Sequence, residues 1–318
     1  MAKYRHNLPQ LDGGIFLSDG GMETTFIFHD GIELPHFASC VLLETPKGRV
    51  HLRNYYERYL AMARGRGVGF VLESATWRAN PDWGSKLGYD AGRLAEVNRA
   101  AIALIVELRD LWEAPAMPCV ISGAIGPRGD GYRAGLMSVA EAEDYHATQI
   151  ATFAATEADM VAAFTLATVE EAIGIARAAK SLQMPSTISF TVETDGRLVT
   201  GATLRSAIEA VETATDGYPA YYMINCAHPT HFAQALEAGE GWVRRIHGVR
   251  ANASARSHAE LDESTELDAG DPADLGRRYR DLTRRFPTMR VLGGCCGTDH
   301  RHVAAICDDC FEPARLSA

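Results

Sequence analysis

The chain has 318 residues, and 47% of them are hydrophobic, which is ordinary for a globular protein with a large core. Its net charge is −10 and it has no run rich in lysine and arginine, so we expect no nucleic-acid partner. It has no stretch of about 18 apolar residues and no apolar signal sequence at its N-terminus, so we also expect no membrane partner and a cytoplasmic location.

Short segments rich in apolar and β-branched residues alternate with longer amphipathic segments. The eight predicted strands are 15–21, 67–75, 118–126, 158–165, 185–192, 220–227, 245–253 and 289–296. Predicted helices include 94–112, 138–157 and 168–182. Strands that alternate with helices pair in parallel, so we predict an α/β fold with a single (β/α)8 TIM barrel domain over residues 1–318. The alternative is an open, doubly wound sheet, but no Gly-rich dinucleotide motif follows the first strand.

The predicted helix 138–157 has a clear start signal. Ser138 precedes it and Glu141 follows three residues later, which is the pattern of a capping box. Two long segments, 76–93 and 254–272, instead follow predicted strands two and seven. Barrel enzymes build their active sites at the carboxyl ends of the strands, and long loops in compact domains are usually functional. We therefore predict that these two segments cover a pocket.

Three predicted strands end in residues suited to chemistry: Asp19-Gly20-Gly21, Asn225-Cys226 and Cys295-Cys296. In a closed barrel the ends of strands six and eight flank strand seven, so the three cysteines converge. Three thiolates around one point are typical of Zn²⁺. The flanking Gly293, Gly294 and Gly297 allow the irregular backbone that two adjacent ligands need. The alternative is that these cysteines are only buried at a Gly-rich strand end.

The chain has seven cysteines, an odd number, which in a reducing compartment indicates metal binding or chemistry rather than a disulfide framework. The other four cysteines are predicted to be small core residues: Cys40, Cys119, Cys307 and Cys310. An open site with three thiolates makes zinc a poor Lewis acid for water but suits the binding of a fourth sulfur. A thiol bound there loses its proton at neutral pH, so the natural reaction is alkyl transfer onto sulfur.

At these motifs the sequence resembles the homocysteine S-methyltransferase family. The resemblance runs through nearly the whole chain, from LSDGGMET through NCAHP and GVRANAS to VLGGCCGTDHRHVAAI. It implies zinc-dependent transfer of a methyl group to homocysteine or a related thiol, as in methionine biosynthesis. It implies Cys226, Cys295 and Cys296 as the catalytic metal ligands. The substrate-binding residues that it implies are Asp19, Gly20, Gly21, Thr165, Asn225 and Asn252.

One position departs from the family pattern. Family members usually carry a glutamate at the end of strand four, which is expected to bind the ammonium group of homocysteine, and this chain has Phe164 there, followed by Thr165. A buried ammonium without its partner is costly. Either another carboxylate replaces the glutamate, for which Glu73 at the end of strand two is our choice, or the acceptor is a different thiol. The alternative for Glu73 is an ordinary solvated loop carboxylate.

The partners we expect are a small-molecule thiol and a methyl donor. Because we see no additional domain for cobalamin or folate, a small onium donor is favoured, and Trp77 or Trp83 would stack against its positive charge. The sequence permits a homo-oligomer but does not require one. A second hypothesis is a zinc-binding barrel of the same family that binds or regulates without catalysis, and Phe164 is the feature that favours it.

Overall fold

Eight parallel strands close into a barrel in the computed structural model, which describes residues 1–237, 239–264 and 266–311. The strands are β1 (Phe16–Leu17), β2 (Gly69–Glu73), β3 (Cys119–Ile125), β4 (Met160–Leu166), β5 (Ser186–Phe190), β6 (Tyr221–Asn225), β7 (Ile246–Ala251) and β8 (Val291–Gly294). Each pairs with its neighbours in chain order, and β1 pairs with β8. The predicted (β/α)8 barrel is confirmed, and the open sheet is excluded. Residues 312–318 of the predicted domain lie outside the described residues.

Helices follow the strands and pack around the barrel. The long ones are α1 (Pro46–Arg66), α2 (Ala91–Trp112), α3 (Val139–Ala154), α4 (Val169–Ser181), α5 (Leu204–Thr215), α6 (Pro272–Arg285) and α7 (His300–Cys310). Shorter helical segments are Pro9–Leu11, Met22–Thr24, Thr25–His29, Pro35–Phe37, Ser39–Glu44, Pro81–Lys86, Pro229–Phe232, Val243–Arg245 and His258–Asp262. Among the described residues, none of the helices combines the length and the apolar character that a bilayer crossing requires.

Helix α3 begins at its predicted capping box. The Ser138 hydroxyl accepts a hydrogen bond from the Glu141 N–H at 3.3 Å, and Glu141 Oε2 accepts one from the Ser138 N–H at 2.8 Å. These two bonds satisfy amide groups that the first turn of a helix leaves without partners. The predicted helices 94–112 and 168–182 correspond to α2 and α4, with ends that differ by at most three residues.

The two long segments predicted as loops each contain a short helix. In 76–93, the Asn80 side chain accepts a hydrogen bond from the Trp83 N–H at 3.2 Å and starts the helix Pro81–Lys86. In 254–272, Ser257 starts the helix His258–Asp262 with a second capping box. Both signals are local, and the helices that they start have only six and five residues. Position 265 lies outside the described residues.

Side chains fill the interior of the barrel at the amino ends of its strands. Large side chains project inward from the strands: Phe16, Val71, Val120, Met160, Tyr221, Met223 and Val291. Leu8, from the N-terminal segment, packs against this cluster, and Gln10 Nε2 donates to Met160 Sδ at 3.2 Å. Because side chains close the amino end, the open space of the barrel lies at the carboxyl ends of the strands, where the predicted site residues are.

Candidate active site

A cavity of about 410 Å³ lies at the carboxyl ends of the strands. All ten predicted site residues line it: Asp19, Gly20, Gly21, Glu73, Thr165, Asn225, Cys226, Asn252, Cys295 and Cys296. Phe164 and Trp77 also line it. This volume is within the range of pockets that bind small molecules. The structure thus brings the predicted residues together, and their individual roles stay predictions.

The sulfur atoms of Cys226, Cys295 and Cys296, which we call the cysteine cluster, lie within 4.8 Å of one another. Cys226 Sγ is 3.9 Å from Cys296 Sγ. Cys226 and Cys295 are joined by a disulfide bond, which differs from the expectation of reduced thiols. Their Cα atoms are 5.4 Å apart, and this separation suits a disulfide as well as a shared metal. The other four cysteines have free thiols and lie outside the cavity lining.

Two residues at the cluster have left-handed backbone angles that side chains disfavour. Cys226 has φ of 52° and Thr165 has φ of 61°. Asn225 holds Thr165 in place, because its Oδ1 accepts from the Thr165 N–H at 2.8 Å and its Nδ2 donates to Thr165 Oγ1 at 2.9 Å. Ser189 also donates to Asn225 Oδ1, at 2.7 Å. Backbone strain of this kind concentrates at functional sites, where surrounding contacts maintain it.

The glycines beside Cys295 serve mainly to leave space. A Cβ atom on Gly294 would lie 2.0 Å from Thr298 Oγ1, and one on Gly293 would lie 2.1 Å from Ser18 Oγ. Gly297 has a left-handed φ of 78°, which is the kind of irregular backbone that the three glycines were expected to allow. The sequence prediction of an irregular backbone therefore holds for Gly297, whereas the other two glycines allow the close approach of β8 to its neighbours.

The donor atoms around the cluster fit a metal held by thiolates. Zinc–sulfur bonds of about 2.3 Å in a tetrahedron place the sulfurs about 3.8 Å apart, close to the separation of Cys226 and Cys296. Asn225 Nδ2 lies 3.8 Å from Cys295 Sγ, and Thr165 Oγ1 lies 3.7 Å from Cys226 Sγ. Burial raises the pKa of the Cys296 thiol, so a nearby cation is needed to hold it as a thiolate. The reduced cluster fits zinc.

A buried arginine that sequence analysis missed stands beside the cluster. Arg250, at the carboxyl end of β7, lines the cavity, and its Nη2 lies 2.6 Å from Asp19 Oδ1. It also donates from Nε to the Gly294 carbonyl at 3.1 Å and from Nη2 to the Gly20 carbonyl at 3.2 Å. Burial opposes its charge, but Asp19 and Glu73 raise the pKa of Arg250 above its ordinary value, so it stays charged.

Phe164 and Glu73 complete this part of the cavity, which we call the arginine pocket (Asp19, Glu73, Phe164 and Arg250). The Arg250 guanidinium lies 5.3 Å from the centre of the Phe164 ring. Burial raises the pKa of the Glu73 carboxyl to about 7, although Arg250 opposes the shift. Glu73 Oε2 is buried and has no hydrogen-bond partner among the described residues. Glu73 is therefore a buried pocket residue, and the alternative of a solvated loop carboxylate is wrong.

The two long segments contribute unequally to the cavity. From 254–272, seven residues line it: Ser254, His258, Leu261, Ser264, Glu266, Leu267 and Asp268. From 76–93, only the first three do: Thr76, Trp77 and Arg78. Trp83 lies outside the lining, and its ring carries two cations of the chain itself, Arg78 at 4.0 Å and Lys86 at 3.8 Å. Of this pair only Trp77 lines the cavity, and Arg78 lies 5.1 Å from the centre of its ring as well.

Two further residues that sequence analysis missed lie against the cluster. Tyr132, from the segment after β3, has its hydroxyl 3.7 Å from Cys296 Sγ. The His258 ring lies against the Tyr132 ring, with ring centres 4.1 Å apart. His258 Nε2 donates to the Cys226 carbonyl at 2.6 Å. The Gly-rich segment around Tyr132 was the available signal, since it also follows a predicted strand.

Comparisons with known proteins agree with this architecture. The sequence profile of the homocysteine S-methyltransferase family matches residues 16–310. The homocysteine methyltransferase MmuM from Escherichia coli, in its oxidized form, is similar in structure with a TM-score of 0.70 and 21% identity, over 92% of this chain and 94% of that chain. Its metallated form gives 0.67 and 20%, over 92% and 95%. A comparison with curated proteins gives no match.

The fold and the cavity define the general class, a (β/α)8 barrel with a small-molecule site and a cluster of three cysteines at its mouth. The family match covers most of the chain, so the chain belongs to the homocysteine S-methyltransferase family. It is therefore a transferase that methylates thiols. The likeness to the bacterial structures, at about a fifth identity, supports the fold alone.

Proposed function

We propose that the reduced protein binds one zinc ion through Cys226, Cys295 and Cys296 and transfers a methyl group from a small onium donor to a thiol. The observation that carries this proposal is the convergence of three cysteine sulfurs within 4.8 Å at the wall of the cavity. When bound, zinc supplies the acidity that holds an acceptor thiol as a thiolate at neutral pH. The Cys226–Cys295 disulfide must be reduced first.

The residues around the cluster hold this arrangement in place. Asn225 fixes Thr165. Asn252 Nδ2 donates to the Cys226 carbonyl at 3.0 Å, and His258 Nε2 donates to the same carbonyl at 2.6 Å. The Asn252 Oδ1 is buried without a hydrogen-bond partner among the described residues, so it is available to a ligand. These contacts support positioning roles for the three side chains.

The reaction that we propose is a direct displacement. A bond forms between the acceptor sulfur and the methyl carbon while the bond from that carbon to the donor breaks, and the donor leaves with the electron pair. The thiol proton passes to solvent when the thiol binds. A cavity of about 410 Å³ is large enough for a thiol and a small donor together, which supports a small onium donor. Of the two tryptophans considered for contact with its positive charge, Trp77 is the one that lines the cavity.

Metal analysis tests this proposal. Protein purified under reduction is expected to hold about one zinc per chain, and Cys296→Ser is expected to lose most of it. Cys119→Ser is the matched control, because Cys119 is buried in β3 outside the cavity. Equal zinc in the Cys296→Ser and Cys119→Ser proteins would refute the site. Zinc without turnover, across a panel of thiols and onium donors, would favour the alternative of a non-catalytic binding protein.

We also propose that residues 1–318 form a single domain and that the protein is cytoplasmic. The first is supported by the closed barrel, whose eight strands surround one cavity.

A further inference from the structure

The arginine pocket already contains a positive charge where an amino-acid acceptor would bring its own. Arg250 is buried and held by three acceptors: the Asp19 carboxylate and the carbonyls of Gly20 and Gly294. The ring of Phe164, at the position where the family glutamate is expected, faces the guanidinium at 5.3 Å. An apolar ring thus occupies the position of the expected family carboxylate, and the positive charge beside it is the Arg250 guanidinium of the protein itself.

Two of the three carboxylates of this region, those of Asp19 and Glu23, are also engaged. Asp19 Oδ1 pairs with Arg250, and Asp19 Oδ2 accepts a hydrogen bond from the Tyr55 hydroxyl at 2.9 Å. Glu73 has no ion-pair partner among the described residues, and burial raises the pKa of its carboxyl to about 7, so it carries only part of its charge at neutral pH. Glu23, further along the lining, accepts a hydrogen bond from Ser39 at 2.7 Å. An ammonium group entering here would meet a fixed cation, two engaged carboxylates, and in Glu73 a carboxyl that is only partly ionised at neutral pH.

One donor of Arg250 is still unused. Its Nη1 is buried and has no hydrogen-bond partner among the described residues. A buried guanidinium hydrogen without an acceptor is unfavourable, and a carboxylate is the ligand that guanidinium binds best. A carboxylate at Nη1 would satisfy it, and the methylene chain behind the carboxylate would lie against Phe164.

We propose that Arg250 sets the acceptor specificity: its guanidinium replaces the substrate ammonium group, so the acceptor is a mercaptocarboxylate that lacks an α-amino group. This inference rests on the proposed function, because it requires the thiol end of the acceptor to bind at the cysteine cluster. Methyl transfer then proceeds as described above, with the sulfur–carbon bond formed as the donor leaves.

Binding to the reduced, zinc-loaded protein tests the inference without reference to turnover. The probes are homocysteine, 4-mercaptobutyrate, which lacks only its amino group, and 3-mercaptopropylamine, which lacks only its carboxylate. Isothermal titration is expected to give the order 4-mercaptobutyrate, homocysteine, 3-mercaptopropylamine, with at least tenfold between the first two. Homocysteine or the amine binding as tightly as 4-mercaptobutyrate would overturn the inference while leaving zinc-dependent thiol binding intact. Zinc-loaded protein that binds none of the three would overturn the proposed function and this inference with it.

Variants separate charge from shape. Arg250→Met releases Asp19 Oδ1, so homocysteine is expected to bind at least tenfold more tightly and 4-mercaptobutyrate at least tenfold more weakly than in the wild type. Arg250→Lys keeps the charge and is expected to keep the wild-type order. Phe164→Glu alone should not improve homocysteine binding, because Arg250 neutralises the new carboxylate, whereas Phe164→Glu with Arg250→Met should.

The matched control is Arg245→Met. Arg245 precedes the same strand and pairs with Glu212 at 3.1 Å, outside the cavity lining. It is expected to leave the order of the probes unchanged. If Arg250→Met fails to fold, the order of the three probes in the wild type and in Arg250→Lys still tests the role of Arg250. An unchanged preference in a folded Arg250→Met protein would refute the role of Arg250.

Discussion

The cysteine cluster and the arginine pocket are neighbours in one cavity, yet they differ in how they relate to the family. The cluster has the three sulfurs, the asparagine and the glycine-rich strand end that the family resemblance implies. The arginine pocket has Phe164 in place of a carboxylate and Arg250 paired with Asp19. The part that we propose activates the thiol thus matches the family pattern, and the part that we propose recognises the rest of the acceptor does not. On these proposals, different residues determine the reaction type and the identity of the acceptor.

The largest effect that we predict is a pH dependence of the unfolding free energy that arises in the arginine pocket, at Glu73. The ordinary pKa of a glutamate is near 4.5, and burial raises that of Glu73 to about 7. A raised pKa means that the folded state disfavours the ionised form, so the contribution of Glu73 to stability is fully present below pH 4.5 and is lost as the pH rises through 7. At about 1.36 kcal/mol per unit, the loss is on the order of 3 kcal/mol.

Glu73→Gln is expected to remove this loss. Urea denaturation at pH 4.5 and pH 8 should show a larger fall in unfolding free energy for the wild type than for the variant. Glu170→Gln, which changes an exposed carboxylate on α4, is the control and should follow the wild type. If the unfolding free energy fell equally in all three proteins, Glu73 would not be buried as it is in the structure. Near-identical binding of homocysteine by the wild type and Glu73→Gln would further exclude Glu73 as an ammonium partner.

The second prediction concerns the support of the cluster. Asn225→Ala removes both hydrogen bonds to Thr165 and the contact with Cys295 Sγ, so zinc affinity should fall by about tenfold to a hundredfold. Competition with a chelator measures it. Ser189→Ala removes one hydrogen bond to the same asparagine, so its zinc affinity should fall less. Unchanged affinity in Asn225→Ala would show that the cluster needs no such support, and the difference between the two regions would then be smaller than we argue.

The difference between the regions also marks what sequence could predict. The barrel and the meeting of three cysteines follow from alternating strands and helices, because the carboxyl ends of parallel strands share one rim. Arg250 did not stand out, since an arginine inside a strand run has no local signature and its partner Asp19 lies at the other end of the chain. The left-handed angles of Cys226 and Thr165 depend on contacts across strands, and no sequence motif encodes them.

The smallest predicted effect compares the segments that cover the two regions. Segment 254–272 places His258 on the Cys226 carbonyl beside the cluster, whereas 76–93 continues from Glu73 and turns away after Arg78. Cleavage requires a segment to open locally, and a ligand that contacts it makes opening less favourable. A bound thiol should therefore slow tryptic cleavage after Arg256 several-fold.

Cleavage after Lys86 is the internal control for this experiment. Lys86 is exposed like Arg256, but it ends the short helix Pro81–Lys86 outside the cavity lining. Reduced, zinc-loaded protein would be digested with and without saturating 4-mercaptobutyrate, and the two cleavage rates measured by mass spectrometry. Equal protection at both sites would mean that the ligand stabilises the barrel as a whole. Protection at Lys86 alone would contradict this prediction. The ligand would then contact the chain mainly beside the arginine pocket and not through segment 254–272.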